Sequence, residues 1–358
     1  MQKPQQRPQQ RLLIVGCGDI ARRTLPQLLG HYRVFALLRR AEQLSWWRQA
    51  GAFPLLADLD DANSLHKIAG LADIVLHFAP PPANKIATIG ERKQTKNGDH
   101  RAGQARHDTC DTRTRHLLSA LGRGGSLPRR LVYLSTSGVY GDCGGARIDE
   151  TQPTRAQTLR AQRRIDAEKQ LRAFAQRHGV NTSILRTPGI YASERLPLER
   201  LRQGLPCLIE TEDVFTNHIH ADDLARLVCA TLRHGRSNRI YNAADDSNLK
   251  MGAYFDLVAE QFGLAKPPRV TRQQSEHLIS ALQRSFMNES RRLSNQRIKN
   301  ELHFCLHYPQ VEAGITAAWR STCPASIEGS NSINNTNITN SSADPLLKQE
   351  SESALRLS

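Results

Sequence analysis

The residues best placed to do chemistry lie in the stretch LLIVGCGDIARRTLPQLL, residues 12–29. Four apolar residues, Leu12 to Val15, are followed by Gly16, Gly18 and Ala21 in the spacing G-x-G-x-x-A, and an amphipathic helical pattern begins at once. A strand, a tight turn and a helix start in that order form an anion cradle. Gly16 permits the turn, Gly18 lets a pyrophosphate approach the backbone, and Ala21 allows close helix–strand packing. Asp19 and Ile20 complete the expected cofactor-binding turn at the head of the helix, and the alternative is a tight turn with no ligand. The second apolar run ends in Arg39-Arg40, where an NAD enzyme usually carries a carboxylate for the ribose 2′-hydroxyl, and no acid follows until Glu42. Two guanidiniums suit a 2′-phosphate, so NADP is expected in preference to NAD; the alternative is a solvated pair of loop arginines.

These residues must be positioned by strands and helices in alternation. Apolar runs at Leu12–Val15, Arg33–Leu38, Phe53–Ala57, Ala72–Phe78, Arg130–Leu134, Thr182–Leu185 and Arg239–Asn242 read as strands. Helical patterns separate them at about 41–50, 62–70, 109–121, 156–178 and 222–234, the long one presenting Ile165, Leu171 and Phe174. That rhythm predicts an α/β fold with a Rossmann-type, doubly wound parallel sheet and a smaller C-terminal substrate lobe. The expected organisation is a polar tail over residues 1–10, a dinucleotide-binding domain over 11–250, a substrate lobe over 251–322 and a disordered tail over 323–358. Residues 83–107, basic and without apolar periodicity, are expected to be a flexible insertion near the carboxyl end of the fourth strand, and lobe segments interleave from about residue 186.

The formal charge of +15 demands that an anionic partner be considered. Arginines crowd residues 155–177, and a second cluster joins Arg291, Arg292, Arg297 and Lys299. Without a helix-turn-helix, zinc-finger or aromatic RNA-binding signature, both are expected to be solvated faces rather than a nucleic-acid surface. Seven scattered cysteines with no C-x-x-C pair argue for a reducing compartment. No signal-like or membrane-length apolar run occurs, so a cytoplasmic location is expected.

Several segments together resemble the short-chain dehydrogenase/reductase superfamily, in its extended branch of NAD(P)-dependent epimerases and dehydratases. The glycine turn is one; LSTSGVYGD (134–142), RTPGIY (186–191) and IHADDLA (219–225) are the others, and the resemblance spans roughly residues 11–320. It implies that Asp58 and Leu59 lie near the adenine, that Pro188 passes near the nicotinamide, and that Thr136 stands where the family has its catalytic serine. The family's Tyr-x-x-x-Lys pair falls on Arg160 and Arg164. Arginine stays protonated at any useful pH, so Arg160 cannot be the general base, whereas Arg164 can keep the positive charge and the ribose contact. Tyr140 and Tyr191 are the nearest alternative acids by motif position, unless they simply pack with bonded hydroxyls. The family's diphosphate-binding arginine before Ile-His is replaced by Thr216, Asn217 and His218; Arg160 and Arg164 can clamp an anion elsewhere. His218, His220 and Asp222 have metal-ligand chemistry, but the family segment accounts for His220, and no metal site is expected. The resemblance therefore implies a small-molecule substrate, a carbonyl compound or sugar derivative that can be anionic, and a homodimer. A non-catalytic NADP-binding sensor or assembly module is the alternative.

Overall fold

The computed structural model describes residues 9–83 and 109–322. The first half runs β1 (Gln10–Val15), α1 (Asp19–Leu29), β2 (Tyr32–Leu38), α2 (Leu44–Gln49), β3 (Phe53–Leu56) and β4 (Ile74–His77). There follow α3 (Thr112–Gly122), β5 (Arg130–Thr136), α4 (Leu159–His178), β6 (Asn181–Thr187), β7 (Gly189–Tyr191), β8 (His218–His220), α5 (Ala221–His234) and β9 (Arg239–Asn242). Among the longer elements after β9 are α6 (Met251–Gln261) and α7 (Val311–Thr322).

Seven strands form one sheet in the order β9-β6-β5-β4-β1-β2-β3, with every neighbouring pair parallel. Period-two alternation sends Leu12 and Ile14 of β1 to one face and Leu13 and Val15 to the other, and all four are fully buried. Helices α1 and α5 supply Leu25, Leu28, Leu224 and Val228 to the first face. On the second, α3 and α4 contribute Leu117, Leu121, Leu171 and Phe174. Burial on both faces explains why the strands read as continuous apolar runs rather than alternating ones. This is the doubly wound Rossmann-type sheet expected. A third apolar cluster, including Tyr191, Leu201, Tyr254, Phe255, Val258, Val311 and Ile315, draws on β7, α6 and α7 and lies apart from both sheet faces.

Local chemistry moves some boundaries. The long helix starts at Leu159 rather than 156 because the Thr158 hydroxyl accepts from the Ala161 N–H at 3.3 Å and fixes the cap. It stops at Gly179, whose φ of +67° is left-handed. The segment after β3 is a 3₁₀ helix over Ala62–Ile68, opened by the Asp61 carboxylate accepting from Asn63 N–H at 3.0 Å. Of the insertion expected at 83–107, residues 84–107 lie outside the described residues, as do residues 1–8 and the tail over 323–358.

The second basic cluster is not a solvated face. Arg291 donates to the Gly141 carbonyl at 2.9 Å, Arg292 to that of Gly145 at 2.8 Å and Arg297 to that of Ile240 at 3.0 Å, while Lys299 pairs with Asp246 at 2.5 Å. These cations tie the chain after residue 289 to β9 and to the loops after β5 and β9. No helix among the described residues is long and apolar enough to cross a membrane.

Candidate functional site

The strand order reverses between β1 and β4, and a doubly wound sheet opens its ligand crevice at such a point, beyond the carboxyl ends of the strands. Phe78 and Ala79, leaving β4, both donate to the Val15 carbonyl, at 2.7 and 3.0 Å. The exit of β4 is thus drawn against the exit of β1. Gly16 sits at the crossing with φ +92°, and a methyl group there would collide with the backbone of Ala79, 2.6 Å from its Cα. Gly18 is different: it takes an ordinary extended conformation, φ −85°, and a Cβ built on it meets nothing within 4 Å. It is also the N-cap of α1 with no side chain capping the first turn. The helix therefore presents unsatisfied N–H groups and the positive end of its dipole to open space that only a glycine leaves clear. The cradle fits the diphosphate of a dinucleotide.

Ala21 and Ile20 are buried in the sheet core, so Ile20 can reach a ligand only through its backbone. The Asp19 side chain is engaged by two arginines: Arg23 Nε lies 2.9 Å from Oδ1 and an Arg195 amino group 3.1 Å from Oδ2. Arg39 and Arg40, at the end of β2, are exposed, and neither forms an ion pair with a described residue. Beyond β3, the Asp58 carboxylate accepts from Asp60 N–H at 3.0 Å, and the Leu59 carbonyl is 2.8 Å from His116 Nδ1. Asp60 holds Arg113 through two bonds, of 2.8 and 2.6 Å, and Arg113 also reaches the Pro80 carbonyl at 3.2 Å. This fork locks the loop after β3 to the chain leaving β4, and the Arg113 guanidinium holds Asp60 below the usual carboxylate range.

At the end of β5, Thr136 caps a single 3₁₀ turn, Ser137–Tyr140, by accepting from Gly138 N–H at 3.2 Å. Its own hydroxyl proton stays available to a substrate oxygen. Ala161, in the first turn of α4, packs over Gly138, so the end of β5 and the start of α4 share one site. Arg160 is exposed in that first turn. One turn later Arg164 donates to the Leu134 carbonyl at 2.6 Å and the Tyr133 hydroxyl at 3.0 Å, which anchors its guanidinium against β5.

Both tyrosine side chains are buried. Tyr140 is fully buried and donates its hydroxyl to Asn242 Oδ1 at 2.7 Å, and burial raises its pKa to about 12. Tyr191 shares a face of the β7–β8 pair with His218 and His220, and that face turns into the third apolar cluster. A methyl group on Gly314 of α7 would lie 2.5 Å from the Tyr191 hydroxyl, so the helix covers it, and burial raises its pKa too. The strand period decides this, because residues 218, 220 and 191 face the cluster while Ile219 and Ile190 face the sheet core. His218 stacks on Tyr254 with ring centres 4.3 Å apart, and burial lowers its pKa to about 4. His220 Nδ1 accepts from Asp222 N–H at 3.2 Å and caps α5. Pro188 stands between β6 and β7, half-buried.

Behind the Ser137–Tyr140 turn lies a buried polar chain. Arg186, on β6, grips Glu168 of α4 side-on through bonds of 3.1 and 2.7 Å, both side chains about 5% exposed. Ser135, next to Thr136, donates to the same carboxylate at 2.6 Å. The guanidinium lies over the Tyr140 ring, 4.6 Å from its centre, and beyond the Tyr140–Asn242 bond Glu150 Oε1 accepts from Asn242 N–H at 2.8 Å. Arg186 and Glu168 both lie in segments carrying recognisable motifs, but only the parallel register of β5 and β6, with Ser135 opposite Arg186, brings them together.

The sequence pattern of the NAD dependent epimerase/dehydratase family matches residues 12–244. The chain belongs to this family. Among similar solved structures is a conserved protein of unknown function from Silicibacter pomeroyi, 26% identical, with a TM-score of 0.65 over 87% of this chain and 99% of that one. A UDP-glucose 4-epimerase from Thermotoga maritima, solved with UDP-glucose, is 17% identical with a TM-score of 0.65, over 88% of this chain and 99% of the other. A dTDP-glucose 4,6-dehydratase from Streptomyces venezuelae, solved with NAD, is 20% identical with a TM-score of 0.64, over 87% and 96%. The comparison with curated proteins found no match.

Proposed function

We propose that this chain is an NADP-dependent oxidoreductase or epimerase acting on a small, anionic carbonyl or sugar-derived substrate. The observation that carries the reading is the start of α1, whose uncapped N–H groups face the open space above Gly18. Gly16, Gly18 and the backbone of Asp19 and Ile20 would hold the diphosphate, Asp58 and Leu59 would border the adenine, and Pro188 the nicotinamide. Arg39 and Arg40 would meet a 2′-phosphate. When bound, the nicotinamide donates or accepts a hydride. Thr136, its oxygen engaged by Gly138 N–H, directs its own proton toward the substrate oxygen. Arg160 and Arg164 supply fixed positive charge and pair with a substrate anion, with Arg164 steadied by β5. Tyr140 serves the core, its hydroxyl committed to Asn242, and the proton comes from water. The residues from 251 to 322 act as the substrate lobe. The six cysteines among the described residues form no disulfide with one another, which suits a reducing cytoplasm.

Fluorescence titration with NADPH and NADH in parallel tests the cofactor assignment. NADPH should bind more tightly, and an Arg39→Ala/Arg40→Ala variant should lose about tenfold or more of that affinity while keeping its affinity for NADH. Preference of the unsubstituted protein for NADH would overturn the arginine argument. For the chemistry, oxidation of NADPH is followed against a panel of carbonyl acids and sugar phosphates. Thr136→Ala should lower turnover about a hundredfold, the usual effect of removing one donor from a developing oxyanion, whereas Tyr140→Phe should leave it nearly unchanged. Equal rates in the Thr136→Ala and unsubstituted proteins would remove Thr136 from the mechanism. A non-catalytic NADP-binding module is the second reading, favoured by the withdrawal of both tyrosine hydroxyls into packed interior; its signature is tight NADPH binding with no turnover of any substrate.

A further inference from the structure

The first residue of α1 is a carboxylate at the place where the proposed cofactor would bring its own negative charge. Asp19 follows Gly18 directly, so its charge stands beside the cradle proposed for the diphosphate. Left alone it would favour the helix dipole but repel an anionic ligand. Two arginines answer it, in different ways. Arg23, one turn along α1, is shared among Asp19, Asp222 and Glu194, with distances of 2.9 Å to Asp19 and 2.5 Å to Asp222. Three carboxylates consume that guanidinium and fasten α1 to the start of α5. Arg195 has a single ion-pair partner among the described residues, Asp19, at 3.1 Å, and its side chain is 34% exposed. It comes from the short turn Ser193–Arg195 that follows β7 and precedes Leu196, a member of the third apolar cluster. A guanidinium has five N–H donors in a planar fork, and this one makes only an ion pair, with no hydrogen bond, to Asp19 Oδ2.

We infer that Arg195 is a second-lobe contribution to cofactor binding: it neutralises Asp19 in the free protein and pairs with the dinucleotide diphosphate when that group occupies the start of α1. The inference rests on the dinucleotide reading above and assigns to it a residue outside the glycine turn. It also gives cofactor binding a physical link to the apolar cluster of the substrate lobe, because the chain carrying Arg195 continues from Tyr191 into that cluster. The charge balance makes opposite predictions for the two partners. Removing the arginine leaves Asp19 facing the diphosphate with less compensation, and removing the carboxylate frees the whole fork for the ligand.

The test is equilibrium binding of NADPH to the full chain, read by fluorescence at low and high salt, with adenosine 2′-monophosphate as a probe that keeps the 2′-phosphate and lacks the diphosphate. Arg195→Gln should weaken NADPH by about ten- to a hundredfold at low salt, less at high salt, and leave adenosine 2′-monophosphate unchanged. Asp19→Asn should tighten NADPH. Thermal unfolding of both variants separates charge from folding, since Asp19→Asn gains affinity only if the fold is kept. Unchanged NADPH affinity in Arg195→Gln overturns the inference, as does equal weakening of both ligands, which would mark a merely structural residue. If the unsubstituted protein binds neither NADPH nor NADH, the dinucleotide reading itself fails.

Discussion

Gly18→Val should abolish dinucleotide binding and leave the fold intact, whereas Gly16→Ala should damage the fold itself. The two glycines stand two residues apart, yet the structure gives them different reasons to be glycine. At position 18 the backbone has φ −85° and nothing lies within 4 Å of a Cβ, so a valine is accommodated in the free protein and fills only the space offered to a ligand. At position 16, φ is +92° and an added methyl meets the backbone of Ala79, which cannot move without breaking the bonds of Phe78 and Ala79 to Val15. Left-handed strain and overpacking each cost about 1–3 kcal/mol, so Gly16→Ala should lose about 2–6 kcal/mol. Urea unfolding and NADPH titration on both variants decide the matter. A Gly18→Val protein that still binds NADPH at the unsubstituted affinity would show that the cradle at α1 is not the cofactor site.

The second large effect is expected at the buried Glu168–Arg186 pair. Both groups are about 5% exposed and bonded twice to one another, and Ser135 adds a third bond to the carboxylate. Glu168→Ala would leave a guanidinium in the interior without its counter-charge, and breaking a buried pair in this way costs about 3–5 kcal/mol. Replacing both partners by methionine should cost markedly less, because the desolvation penalty disappears with the charges. The comparison of the single and double variants by urea midpoint is the measurement. A single variant as stable as the unsubstituted protein would mean the pair carries no net weight. The pair bears on function through Ser135, which lies beside Thr136: loosening it should lower turnover in Glu168→Ala at temperatures where the protein is still folded.

Much of the fold was legible along the chain because its signals are local. A buried parallel strand is a short apolar run, and Leu12–Val15, Val34–Leu38 and Leu131–Leu134 show it directly. The glycine turn was legible as a turn, because strand, glycine spacing and helix start are contiguous in the chain. The pattern at 134–142 marked the turn after β5, and Arg160 and Arg164 were visible as substitutions on the long helix.

What the sequence determined by itself is the chemistry of each position: which residues are buried by periodicity, which turn needs glycine, and which side chains are permanently charged. Those follow from side-chain type and from spacing within one strand or helix. Only the tertiary structure decided the partners. It set Ala79 against Gly16, which assigned the first glycine to chain crossing and left open space over the second. It turned Tyr191 toward the third cluster and committed Tyr140 to Asn242, 102 residues away in sequence. It joined Glu168 to Arg186 and Asp19 to Arg195, and it converted the basic cluster near residue 291 from an expected solvated face into ties to loop carbonyls. The physical reason is common to all of these. Burial, charge pairing and access to a ligand depend on distances between segments far apart in the chain, and those distances are fixed by the order in which the strands assemble.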